Sequence, residues 1–443
     1  MVQVFVSSRV MTAQGLRPAA VVVEGGKISA VLEPKDAPLH VVTRDFDDLA
    51  LLPGFVDTHV HINEPGRTEW EGFATATHAA AAGGITTLVD MPLNCRPETT
   101  TVDALKVKRE AAAGKCQVDW AAWGGLTDDN HAHIEALAAA GAKGFKSFLV
   151  DPGIEGLTML TEAGLEHAAP ILARTGLPLL VHAELPGPIA AAAPALKDAD
   201  WCEYATYLRS RPDEAELEAI RLLIRMCRLY RFRVHVVHLA TAKALAELEA
   251  ARAEGLPITL ETCPHYLYFA AEDIARSSTL KKCAPPIRSR ENREGLWGGL
   301  TRGTIDLIAT DHSPCPPEMK RLEEGDFSKA WGGVASLSIA ASIVWTGMRE
   351  RGLLPLEKLS QWMSAAPAKL AGLGKRKGAF APGMDADIVV FDPEAHFEVT
   401  KERLLYRHPV SPYLGETLYG VVEHTILRGV DVTVEGAPRG IEV

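Results

Sequence analysis

Five stretches of the chain place side chains able to do metal chemistry at the ends of apolar runs. They are His59-x-His61, Lys146, His182, His238 and Asp311-His312. In a strand, alternation with period two turns His59 and His61 to the same face. Four imidazoles and one carboxylate supply the N and O donors that suit two first-row divalent ions. Lys146 conflicts with such a site as an ammonium, because two dications would repel it. Reaction with carbon dioxide would convert it into an anionic carbamate (N6-carboxylysine). The two carbamate oxygens could bridge the ions and help to balance their charge. A lysine inside an apolar strand is costly to bury unpaired, which favours such a role. Convergence carries this reading more than any one histidine does. A second H-x-H, His131-x-His133, lies in a polar, helix-starting stretch and reads as solvated surface. His235 stands three residues before His238, so alternation assigns it to the opposite face, packed against a helix. His265 and His312 read as groups that orient a ligand or a substrate.

These residues need a frame that gathers strand ends at one rim. Eight apolar runs recur along the chain. They begin near Leu51, Thr86, Val118, Ala142, Pro178, Arg233, Ile258 and Ile305, and the average step is about 36 residues. That step is near the ~30 or more residues of a βαβ unit. The runs do not alternate strictly, as expected of parallel strands buried on both faces. Helix-favouring stretches lie between them, among them Glu71 to Ala82, Val102 to Ala113, Ile134 to Ala140 and Glu214 to Tyr230. The pattern predicts an α/β fold with a (β/α)8 TIM-like barrel, whose active site sits at the C-terminal ends of the strands. No G-x-G-x-x-G follows an early strand, so dinucleotide binding has no support. Short strands with turn signals occupy both ends of the chain. They predict a small β-sandwich domain built from residues 1–52 and 373–443, beside a barrel of residues 53–372.

Composition narrows the class. The 443 residues are 47% hydrophobic and 23% charged, with a net charge of −11. These values exclude a disordered chain, a coiled coil or a collagen-like fibre. A polyanion binder would be basic, so nucleic acid is not an expected partner. No apolar run is long enough for a membrane helix, and no membrane partner is expected. The seven cysteines are scattered, odd in number and free of C-x-x-C pairs, which predicts a reducing, cytoplasmic setting. Residues Met1 to Gly15 show neither a basic start nor a long apolar core, so no signal peptide is expected.

The P-G-x-x-D-x-H-x-H pattern from Pro53 to His61, with Lys146, His182, His238 and Asp311, resembles the amidohydrolase superfamily in its cyclic amidohydrolase branch. That branch holds dihydroorotases, hydantoinases (dihydropyrimidinases) and allantoinases. The resemblance extends to Gly378 through Asp387 and Thr425 through Gly429, and so spans nearly the whole chain. The allantoinase group is the most similar, through His61 to Arg67, Trp70-Glu71-Gly72, Cys283 to Arg288, Asp311 to Lys320 and Lys329 to Gly333. Ser147 departs from a Cys often found after the lysine in that group.

The resemblance implies a hydrolase that opens the cyclic amide of allantoin to allantoate. Two divalent ions are implied, zinc by preference, with cobalt, manganese or iron as alternatives. His59, His61 and Asp311 would hold one ion, His182 and His238 the other, and the Lys146 carbamate, formed with carbon dioxide, would bridge them. A metal-bridging hydroxide would attack the ring carbonyl, with Asp311 as the catalytic proton shuttle. Asn63, Cys283 and Ser313 are expected at the substrate. Dihydroorotase-like sequences carry an Arg where Asn63 stands, and a neutral amide there suits a ureido group better than a carboxylate. A hydantoinase acting on other neutral cyclic amides is the alternative. A non-catalytic scaffold is disfavoured because all six ligand positions are kept. The branch also implies a homo-oligomer, a tetramer or a dimer.

Overall fold

The structure is a computed structural model that describes residues 2–432 and 436–443. Each of the eight predicted runs supplies a barrel strand. They are β1 (Phe55–Val60), β2 (Ile85–Asp90), β3 (Asp119–Ala122, resumed at Gly124–Gly125), β4 (Phe145–Phe148), β5 (Leu179–His182), β6 (Val234–Val236), β7 (Ile258–Thr262) and β8 (Leu307–Ile308). Each pairs in parallel with the next, from β1 to β8. The ring closes where Val60 bridges His312 and the His61 N–H donates to the His312 carbonyl at 2.9 Å. Every residue of β1 and β2 is buried, as expected of a sheet covered by helices on its outer side. Close approach fixes Gly144 just before β4, since a Cβ there would lie 2.5 Å from the Pro178 carbonyl oxygen.

The helices follow the predicted stretches closely. Phe73–Ala82, Val102–Ala112, Ile134–Ala139 and Asp213–Tyr230 are helical. Thr101 caps the second through its hydroxyl. The last starts after Pro212 with Asp213, Glu214 and Glu216 in its first turn, where acidic groups suit the helix dipole. It buries Ala219, Ile220, Leu223 and Cys227 against the barrel. No helix among the described residues is long and apolar enough to cross a membrane.

Both ends of the chain meet in a second, mostly antiparallel sheet. Its order is Val430–Asp431, Thr417–Leu427, Ile388–Glu398, Ala50–Pro53, Val2–Thr12, Gly15–Glu24 and Lys27–Leu32, with Val42–Asp45 also pairing to Val2–Thr12. Phe5, Val21, Val23, Leu51, Ile388, Val390 and Ile426 form its core, in the manner of a β-sandwich. Gly54 is the joint between this sheet and β1, and its N–H donates to the Asp387 carbonyl at 2.9 Å. A buried ionic cluster ties sheet to barrel. Lys377 Nζ lies 2.6 Å from Asp119 at the start of β3, 2.9 Å from Asp385 and 2.6 Å from Asp387.

Candidate metal centre

The barrel brings the six expected donors to one cavity of about 270 Å³ at its C-terminal mouth. His59 lies within β1 and His61 just beyond it, Lys146 is within β4 and His182 ends β5. His238 follows β6 and Asp311 follows β8 in tight turns, at φ 38° and 47°. Asp311 Oδ1 is 3.2 Å from His59 Nε2 and 3.3 Å from His61 Nε2. His182 Nδ1 faces His238 Nε2 at 3.1 Å. Lys146 Nζ and His238 Nδ1 are buried with no hydrogen-bond partner among the described residues.

Electrostatics follow from burial. It lowers the pKa values of His61, His182 and His238, which keeps their rings neutral and their lone pairs free. Burial also brings the Lys146 amine down to about 7, against the opposing pull of Asp311 and Glu261. The Asp311 carboxyl is pushed up by burial, but His59, His61 and His238 outweigh that and hold it well below the carboxylate range. The donor chemistry therefore fits two divalent ions: neutral imidazoles, an ionised carboxylate and a buried amine with no hydrogen-bond partner among the described residues. His59, His61 and Asp311 present ligand atoms within 4.8 Å of one another. Asp119, Asp385 and Asp387 do so too, but Lys377, Lys27, Arg376 and Arg428 already pair with that group.

A second layer of polar groups fixes the donors from behind. Glu261, buried in β7, accepts from His59 Nδ1, from His235 Nε2 at 3.0 Å and from the His238 N–H at 3.3 Å. Glu184 lies 2.7 Å from His182 Nε2 and is forked by Arg211. Burial raises both carboxyls, yet His59 and His235 bring Glu261, and Arg211 and His182 bring Glu184, down to about 2. Such carboxylates orient the ring and set its tautomer. Asp57 accepts the Thr310 hydroxyl at 2.5 Å and the N–H groups of His59 and Thr310, so it links β1 to the turn after β8. Burial raises its carboxyl to about 6.

Several sequence expectations change. His235 does not face a helix. It bonds Thr259 at 2.8 Å and Glu261 at 3.0 Å inside the barrel. Strand β6 stops at Val236 and His238 sits at positive φ, so alternation does not run through to it. His133 is exposed as expected, but His131 is half-buried against His167, with ring centroids 4.7 Å apart. Cys283 and Ser313 line the cavity. Asn63 is not among the lining residues. At φ 65° its amide turns to the Pro314 carbonyl at 3.4 Å, and Asn94 lines the cavity instead, 3.5 Å from His61 Nδ1. His312 lies 3.4 Å from Glu71 and accepts the Ser336 N–H at 3.3 Å. His265 is buried, with no partner for either ring nitrogen among the described residues. Glu184, Glu261, Asn94 and Arg211 were not read as site residues. The missed signal at Glu261 is the one that marked Lys146, a charge inside an apolar run.

A (β/α)8 barrel that gathers four imidazoles, a carboxylate and a buried amine without a hydrogen bond at the C-terminal ends of its strands is built as a metal-dependent hydrolase. The sequence places it more narrowly. Residues 50–432 match the amidohydrolase family, and the chain belongs to that family. It is 46% identical to an allantoinase of Streptomyces avermitilis, covering 98% of this chain and 96% of that protein. It is 42% identical to an allantoinase of Arabidopsis thaliana, covering 97% and 88%. Among solved structures, the L-hydantoinase (dihydropyrimidinase) from Arthrobacter aurescens superposes with a TM-score of 0.93 at 30% identity, covering 99% of this chain and 97% of that one.

Proposed function

We infer that this protein is an allantoinase, which opens the ring amide of allantoin by hydrolysis to give allantoate with two divalent ions as cofactor. The convergence of His59, His61, Lys146, His182, His238 and Asp311 on one cavity carries the reading. Identity of 46% to an allantoinase across the chain supports the substrate. When bound, the ions supply Lewis acidity, which makes water acidic at neutral pH and polarises a carbonyl. His59, His61 and Asp311 would hold one ion, and His182 and His238 the other. Lys146 would lie between them as a carbamate. Burial brings its pKa down to about 7, which favours the neutral amine, and only the neutral form attacks carbon dioxide. That attack forms an N–C bond and releases one proton. Asp311, ionised and facing the cavity, takes a proton from water and passes it to the leaving ring nitrogen. Groups at Cys283 and Ser313 would hold the ring.

His-rich N and O donors suit zinc, and also cobalt, manganese or iron. Seven free thiols, six of them buried, support a reducing cytoplasmic setting. A homodimer or homotetramer, and a division into residues 1–52 with 373–443 against 53–372, complete the proposal. The likeness to an L-hydantoinase favours one second reading, action on simpler hydantoins. A panel of allantoin, hydantoin, dihydrouracil and dihydroorotate with metal-loaded protein separates the two. Fastest turnover of allantoin, with about two ions per chain by elemental analysis, is the expected outcome. A preference for hydantoin would replace the reading, and absence of bound metal would remove it.

A further inference from the structure

The two carboxylates behind the metal-facing histidines differ in what balances them. Glu261 takes its hydrogen bonds from His59, His235 and the His238 backbone. Glu184 is balanced by Arg211, and Arg211 lines the cavity. The chain of contacts is short. His182 Nε2 is 2.7 Å from Glu184 Oε2. Arg211 Nη2 donates to the same oxygen at 2.5 Å, and Arg211 Nε donates to Oε1 at 3.0 Å. This side-on fork occupies Nε and Nη2. Nη1 has no hydrogen-bond partner among the described residues, and the Arg211 side chain keeps 22% exposure where Glu184 keeps none. Its cavity neighbours are committed elsewhere. The Tyr207 hydroxyl donates to the Cys283 carbonyl at 2.6 Å, and Lys282 Nζ donates to the Ala330 carbonyl at 2.6 Å. The Arg211 backbone is anchored too, since its carbonyl accepts from Arg288, which is itself paired with Glu216.

We propose that Arg211 is a substrate-positioning residue with two working edges: Nη1 donates to the carbonyl of the substrate's ureido arm, while Nε and Nη2 fix His182 through Glu184. The first edge rests on the allantoin reading above, because that substrate carries a ureido arm beside its ring. A guanidinium suits the task, with planar donors in a fixed fork. The second edge needs no substrate. Glu184 takes the proton on His182 Nε2, which leaves the Nδ1 lone pair, facing His238, for an ion. One side chain thus sets both a metal ligand and the seat of the substrate's arm. A ligand that lacks the arm leaves Nη1 without an acceptor and forgoes that contact.

Arg211→Lys and Arg211→Gln holoenzymes test this, with melting temperature and circular dichroism as checks of folding. Arg211→Lys keeps a charge beside Glu184 but loses the fork, and it carries the test if Arg211→Gln does not fold. The expected result is a KM for allantoin raised about tenfold or more. The inhibition constant of hydantoin, which has no ureido arm, should shift less than about twofold. Metal retention is read on the holoenzyme by dialysis against graded chelator and elemental analysis. Both variants should lose one ion of the two at about ten- to hundredfold lower chelator concentration. An unchanged KM for allantoin overturns the substrate edge, and so does an equal rise in the hydantoin constant. Unchanged metal retention overturns the His182 edge. Failure of the wild-type protein to turn over allantoin would defeat the functional reading and the first edge together. The metal measurement would still judge the second.

Discussion

Replacing Lys108 by methionine removes the countercharge of a buried aspartate while keeping most of the side-chain volume. Lys108 is fully buried in the helix Val102–Ala112, and its Nζ donates to Asp90 Oδ2 and to the Met91 carbonyl. Asp90 ends β2, and its Oδ1 accepts the Ile62 N–H at 2.9 Å, one residue past His61. The loss has two parts. A hydrogen bond to a charged group is worth about 1.5–3 kcal/mol. Removing one partner of a buried pair costs about 3–5 kcal/mol in all, because the remaining charge is stranded. Lys108→Met alone should therefore cost about 3–5 kcal/mol, and the double variant Asp90→Asn/Lys108→Met should recover about 2 kcal/mol or more of it. Urea unfolding of the wild type, both single variants and the double variant gives the coupling by a double-mutant cycle. The stranded aspartate should also disturb the backbone beside His61, so the single variant should hold metal less tightly by about tenfold. A coupling below about 1 kcal/mol with unchanged metal content would show that the pair neither stabilises the barrel nor supports the site.

Lys146→Ala should lose at least one ion per chain by elemental analysis, and short carboxylic acids should partly restore metal and activity. Asp311→Asn should keep the melting temperature within a few degrees and lower kcat by about 10²–10⁴-fold. Burial holds the Lys282 ammonium at about 8 in the folded protein, down from 10.5. Between those values the unfolded chain binds a proton that the folded one does not, so this group makes stability rise with pH from about 8 to 10.5. Lys282→Met should flatten the rise when melting temperatures are compared across that window. Of the seven cysteines only Cys202 is partly exposed, so a thiol reagent should label about one site in the native protein and all seven in denaturant.

The barrel was legible because strands buried on both faces leave unbroken apolar runs, and all eight runs became strands. The six residues that meet at the cavity were legible because they interrupt those runs with groups that do not belong in a core. Alternation failed where the backbone leaves the strand. His238 stands at positive φ, so counting residues misjudged His235; Asn63 was placed at the substrate by resemblance, and its own positive φ turns its amide to the Pro314 carbonyl. Glu261 carried a readable signal, a carboxylate buried between Leu260 and Thr262, but its partners His59 and His235 come from other strands. Arg211 lies in a loop between helices, where no periodicity assigns a direction.

The sheet shared by the two ends of the chain sets an order of events during synthesis. Ala50–Pro53 pairs with Ile388–Glu398, roughly 340 residues later in the sequence. At roughly 5–20 residues per second, the early strands wait between about 17 and 70 s for their neighbour. Throughout that interval Leu51 and Leu52, fully buried in the finished protein, have no Val390 or Val389 beside them. The ribosome therefore presents an apolar sheet edge while the barrel is being made. Chaperone supply and translation speed, more than the stability of the finished barrel, should govern how much active protein a cell accumulates.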